Sequence, residues 1–141
     1  MNVSDFRFFQ TYVKVRGDSP VSEAAKEMVK HKILDVIVVG DGDELIGIVT
    51  FKKILEEVVA KGLDPSKVKS ADIVTRDYVT VSTDDDVEDC MIKYMRFQLE
   101  KGSDIPGLVI LEGKKFVGLL PVGFLFATIS PQRPYRYFEA E

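Results

Sequence analysis

The sequence predicts an α+β fold in which one β-α-β-β-α unit is written twice. Three observations carry that reading. Tyr12, Val13, Val15, Val21, Ala24, Ala25, Met28 and Val29 recur as Tyr78, Val79, Val81, Val87, Cys90, Met91, Tyr94 and Met95 at one constant offset. Gly42 and Gly47 recur as Gly113 and Gly118 at a slightly larger offset, so the second copy carries a few extra residues between its helix and its hairpin. Each copy alternates short β-branched runs with segments of helical periodicity. Neither unit can bury its apolar side alone, so the two are expected to pack face to face about a pseudo-twofold axis. A chain of 141 residues, 45% hydrophobic, is the length of one ordinary domain, and the repeats should share one module. The expected boundaries are 1–66 for the first repeat, 67–130 for the second and 131–141 for a tail.

Each element has a local cause. Tyr12 to Val15 alternates as a strand, and Asp18-Ser19-Pro20 then starts a helix, with Ser19 as the cap and Pro20 where its missing N–H costs nothing. Val21, Ala24, Ala25, Met28 and Val29 share one face of that helix. Val36 to Val39 is a β-branched run, and the turn Gly40-Asp41-Gly42-Asp43 leads into Leu45 to Val49 to close a hairpin. Phe51, Ile54, Leu55, Val58 and Val59 mark a second amphipathic helix that stops at Gly62. The polar connection from Gly62 to Val74 has room for one helical turn. In the second copy the strand is Tyr78 to Val81, and Thr83 to Asp86 start a helix running to about Lys101. Leu108 to Leu111, the turn Glu112-Gly113-Lys114-Lys115, and Phe116 to Leu120 repeat the hairpin. Val122 to Ile129 is apolar almost all round and reads as a final helix buried at an interface. The tail, with Pro131, Pro134, Tyr135, Tyr137 and Phe138, is expected to lie extended or to reach a second subunit.

Composition narrows the function classes. A net charge of −4 argues against a nucleic-acid partner, which needs a basic surface to replace counterions. No run of about 18 apolar residues exists to span a membrane, and Met1 to Gln10 lacks the apolar core of a signal peptide. With one cysteine, Cys90, on an apolar helical face, a cytoplasmic setting and a packing role for the thiol are expected. Asp84, Asp85, Asp86, Glu88 and Asp89 sit at a helix start, where carboxylates cap donors and meet the positive pole, so they read as structure rather than as a metal cluster. Gly40-Asp41-Gly42 lacks the third glycine and the following helix of a dinucleotide fingerprint. His31 is alone among lysines, and the chain holds no nucleophile with a base and no P-loop, so catalysis is not expected.

The chemical signal is strongest at Gly47-Ile48-Val49-Thr50. A glycine inside an apolar strand implies that something approaches the backbone there. A strand ending in threonine at a helix start gathers a hydroxyl and free N–H groups at one point, an arrangement suited to an anion. The same residues also fit a plain helix cap by Thr50.

These motifs, Ser-Pro-Val-x-x-Ala, an Ile-Val-Val strand, Gly-Asp-x-x-Leu-Ile-Gly-Ile-Val-Thr and an amphipathic helix, all repeated once, resemble a pair of cystathionine-β-synthase (CBS) domains, the Bateman module, over about Phe8 to Ile129. The resemblance implies two three-stranded sheets packed through their faces, and clefts that take adenine nucleotides or S-adenosylmethionine-like ligands for regulation. Family sites commonly read Gly-apolar-apolar-Thr/Ser-x-x-Asp. Here Gly47 and Thr50 match, but Lys53 stands at the aspartate position and could hold only a phosphate. In the second repeat Gly118 matches, while Pro121 and Phe124 replace the hydroxyl and the carboxylate. By the same resemblance Tyr12 and Val36 line the first pocket, with Thr75, Arg76, Asp77, Tyr78, Ile105, Pro106 and Gly107 on the second side. Asp77 is an available carboxylate that also fits a solvated turn. The expected function is therefore a homodimeric regulatory module that requires no cofactor, binds AMP, ADP, ATP or S-adenosylmethionine, and signals to a partner protein. The alternative is a degenerate pair acting as a dimerising or docking scaffold without a small-molecule ligand.

Overall fold

A computed structural model describes residues 1–5, 12–102 and 107–121. The described residues divide into two compact units, one of residues 12–76 with 114–116, the other of residues 1–5, 77–102, 107–113 and 117–121. Each holds one repeat and one three-stranded sheet.

In the first unit, β1 (Lys14–Arg16) pairs parallel with β2 (Asp35–Val39), which pairs antiparallel with β3 (Leu45–Thr50). The connection between β1 and β2 is α1 (Val21–His31), whose Val21, Ala24 and Met28 are buried at helical spacing against Val36, Val38 and Val49. Pro20 itself occupies the cap position of α1, without a side-chain bond. The Ser19 hydroxyl, expected to cap, donates instead to the Arg16 carbonyl at 2.5 Å and closes the turn after β1. Thr50 caps α2 (Phe51–Ile54), which widens into a π-helical turn at Leu55–Val59, where the Ala60 N–H reaches the Leu55 carbonyl. Gly62, at φ 68°, ends this run, the conformation that favours glycine there. A single 3₁₀ turn, Ser70–Ile73, forms in the connection.

The second unit repeats the pattern with β4 (Val79–Ser82), α3 (Val87–Glu100), β5 (Gly107–Glu112) and β6 (Lys115–Pro121), ordered β4-β5-β6. Val79, Val81, Val87, Cys90, Leu108, Ile110 and Leu120 form its core. Val3 completes that core: the Val3 N–H donates to the Asp85 carbonyl and the Ser4 N–H to the Thr83 carbonyl, both at 2.9 Å. Residues 1–5 thus pack with the second unit. The proposed helix Val122 to Ile129, the tail 131–141, Phe124 and Pro106 lie outside the described residues.

Candidate functional site

The site grows from the end of the β2–β3 hairpin. Side chains alternate across a strand, so Val36, Val38 and Val49 enter the helix-side core while Asp35 and Thr50 fall on the opposite face with Ile37 and Ile48. Asp35 and Thr50 are register partners in the antiparallel ladder, which holds their Cα atoms about 4.5–5.5 Å apart. Both are buried, 8% and 5% exposed.

Asp35 is the residue that sequence reasoning missed. Its Oδ1 accepts a 2.5 Å hydrogen bond from the Tyr12 hydroxyl, and its Oδ2, fully shielded, has no partner among the described residues. Burial pushes the Asp35 carboxyl above the usual carboxylate range, with the Tyr12 bond pulling the other way. Burial, then the bond to Asp35 and its charge, raise the Tyr12 phenol as well. A buried polar atom left unpaired is costly, on the order of 1–3 kcal/mol, and native structures keep few of them. The signal was present: Asp35 is the one charge in the run Ile33-Leu34-Asp35-Val36-Ile37-Val38-Val39, and a charge in a run destined for burial needs a partner.

The Gly47–Thr50 corner is organised differently from the sequence expectation. Something does approach Gly47, but it is the chain itself. A Cβ there would sit 2.6 Å from Val74 Cβ and 2.9 Å from the Thr75 carbonyl, because Thr75 bridges to Ile48 through two backbone bonds of 3.1 and 2.8 Å. The Thr50 hydroxyl accepts from the Lys53 N–H at 3.1 Å, and the Phe51 N–H donates to the Leu34 carbonyl at 2.8 Å. Those donors and that acceptor are used within the fold.

The other expected site residues are placed as follows. Tyr12 bonds Asp35; Lys53, half-buried, is one helical turn from Thr50. The Val36 side chain is wholly in the core. Thr75 lies in the first unit beside β3. Asp77 is exposed and 3.9 Å from the Lys101 ammonium. Of the acidic cluster, Asp85 accepts from the Ser82 N–H, and Asp86 accepts from the Asp89 N–H as the cap of α3. No group of three metal-ligating side chains forms among the described residues. Cys90 is buried, and its thiol is pushed up to about 11, first by burial and then by Asp85. No helix among the described residues is long and apolar enough to cross a membrane.

The model of the CBS domain matches this chain twice, over residues 3–60 and 70–123. An uncharacterized protein of Methanopyrus kandleri is 32% identical over 118 residues, covering 78% of this chain and 57% of its own length, so the chain spans little more than half of that relative. Among solved structures, a CBS domain pair in complex with 5′-methylthioadenosine and S-adenosyl-L-methionine superposes with a TM-score of 0.69 at 22% identity, over 94% of this chain and 98% of the other. A hexameric CBS-CP12 protein from bloom-forming cyanobacteria superposes with a TM-score of 0.66 at 26% identity, over 98% of this chain and 77% of the other.

Proposed function

The chain belongs to the CBS-domain family as a tandem pair, and from that premise we propose that it is a regulatory module binding an adenine-containing or S-adenosylmethionine-like ligand at the hairpin end of its first repeat. The observation that carries the reading is the buried Asp35 Oδ2, an acceptor that a ligand N–H or O–H would complete. Tyr12 holds the other carboxylate oxygen and offers its ring at the edge of the site. Lys53 could add charge at the rim. Thr75 flanks the same corner, while Asp77 and Pro106 remain candidates from the second repeat. The module works without chemistry of its own, passing occupancy to a partner protein in the cytoplasm. Two copies associate through the helical run after β3, where Phe51, Leu55 and Val59, at four-residue spacing, are 51%, 42% and 61% exposed.

The scaffold reading has one observation in its favour: the Lys53 N–H, a donor an anion would need, is already taken by Thr50 Oγ1 as a cap. A thermal-shift panel with AMP, ADP, ATP, S-adenosylmethionine, methylthioadenosine and NAD separates the two. A ligand at about a hundredfold its dissociation constant should add about 2.7 kcal/mol and raise the midpoint by several degrees. No shift with any of the six leaves the scaffold.

A further inference from the structure

We propose that Asp35 makes the first-repeat site selective by charge: it takes neutral or cationic adenosyl compounds, such as a methylthioadenosine or a sulfonium, and rejects phosphorylated nucleotides. The proposal rests on the function proposed above and assigns the ligand class of that same site.

Three observations point the same way. The Asp35 side chain is more than nine-tenths buried and its Oδ2 has no donor among the described residues, so a ligand donor or positive charge is what the site lacks. Tyr12 fixes the carboxylate by its hydroxyl bond to Oδ1, which leaves Oδ2 as the open valence. Two of the N–H groups at this corner that would receive a phosphate are occupied, that of Lys53 by Thr50 Oγ1 and that of Phe51 by the Leu34 carbonyl.

Charge decides between the ligand classes. Asp35 is the register partner of Thr50, so a phosphate placed at the threonine would stand within a few ångströms of a carboxylate in a water-poor setting, where like charges repel most strongly. Lys53 opposes this only from a half-buried position on the helix, with more solvent around its charge. A sulfonium or ammonium meets the reverse balance, because it gains from the carboxylate and needs no anion donors. A neutral adenosine thioether loses nothing and can still complete Oδ2 with its exocyclic amine or a ribose hydroxyl.

Calorimetric titration of the full chain with S-adenosylmethionine, methylthioadenosine, AMP and ATP tests the assignment. The wild type should bind one of the first two at least ~10-fold more tightly than either phosphate compound, a difference worth about 1.4 kcal/mol. Asp35→Asn removes the charge and keeps the shape, and should shrink that gap to about threefold or less. Tyr12→Phe keeps the charge, so the gap should persist while overall affinity falls. AMP or ATP binding the wild type as tightly as the other two overturns the selectivity while leaving the proposed function standing. A gap unchanged in Asp35→Asn removes Asp35 as its cause. Binding of none of the four overturns the selectivity, and the absence of a shift with ADP and NAD as well overturns the proposed function.

Discussion

Replacing Gly47 by alanine isolates what this glycine is for. The added methyl would stand 2.6 and 2.7 Å from Val74 Cβ and Cγ2, and 2.9 Å from the Thr75 carbonyl oxygen. The carbonyl cannot swing aside freely, since it accepts the Ile48 N–H and its own residue's N–H is bonded back to the Ile48 carbonyl. Overpacking of this kind costs about 1–3 kcal/mol. Opening the bridge forfeits two backbone bonds worth about 1 kcal/mol each. A more restricted unfolded chain returns about 0.4–1 kcal/mol. The net loss should therefore be about 2–5 kcal/mol, read as a fall of roughly 1–2 M in the urea midpoint at unchanged slope. A loss below about 0.5 kcal/mol would refute the packing account. If nucleotide affinity changed at the same time, the glycine would regain the ligand-contact role that the strand pattern suggested.

Two further outcomes follow from the same coordinates. Because burial holds the Asp35 carboxyl above its ordinary 3.8, the native state binds that proton more tightly than the unfolded chain does. Its stabilising effect is complete below 3.8 and declines as pH rises toward the folded value, so the stability of Asp35→Asn relative to wild type should rise with pH across that window; a difference that falls or stays flat in pH-dependent urea unfolding contradicts the burial argument. For assembly, sedimentation at micromolar concentration should show a dimer, and Phe51→Glu with Leu55→Glu should dissociate it without loss of helix signal; a monomeric wild type removes that surface as an interface.

Local physics makes most of the fold legible in the sequence. The β-branched run of β2, the glycine turn before β3 and the periodic apolar face of α1 each announce their element because the cause lies within a few residues. Contacts set by distant partners were harder to read. Nothing within Met1 to Asp5 says that Val3 will fill the core of the second repeat, since only the Asp85 and Thr83 carbonyls, far along the chain, select it. Gly47 was read correctly as a point of close approach, but a sequence cannot tell a ligand from the chain's own return at Val74 and Thr75. Ser19 and Pro20 show the same limit on a smaller scale: the hydroxyl had two acceptable uses, and the turn took it. The family pattern puts a carboxylate three residues after the threonine, where this chain has Lys53, whereas the carboxylate here stands across the ladder from Thr50.

The two repeats carry different residues at the same strand end. By the offset between the hairpins, Gly107 stands where the first repeat has Val36, and Pro121 stands where it has Thr50. In the second repeat the two strand ends press together so closely that a Cβ on Gly107 would lie 2.3 Å from the Leu120 carbonyl oxygen and 2.8 Å from Pro121 Cα. The backbones of Gly107, Leu120 and Pro121 meet there, and Pro121 brings neither a hydroxyl nor an N–H. The first repeat keeps side chains at the corresponding end and leaves one carboxylate oxygen unpaired at a cost to its own stability. A pair kept only for docking would gain by closing both ends alike, since replacing an unpaired buried charge by an apolar group stabilises a fold. Strain of this kind concentrates where function requires it, and its confinement to Asp35, among the described buried side-chain atoms, favours a single ligand site in the first repeat over a scaffold with none.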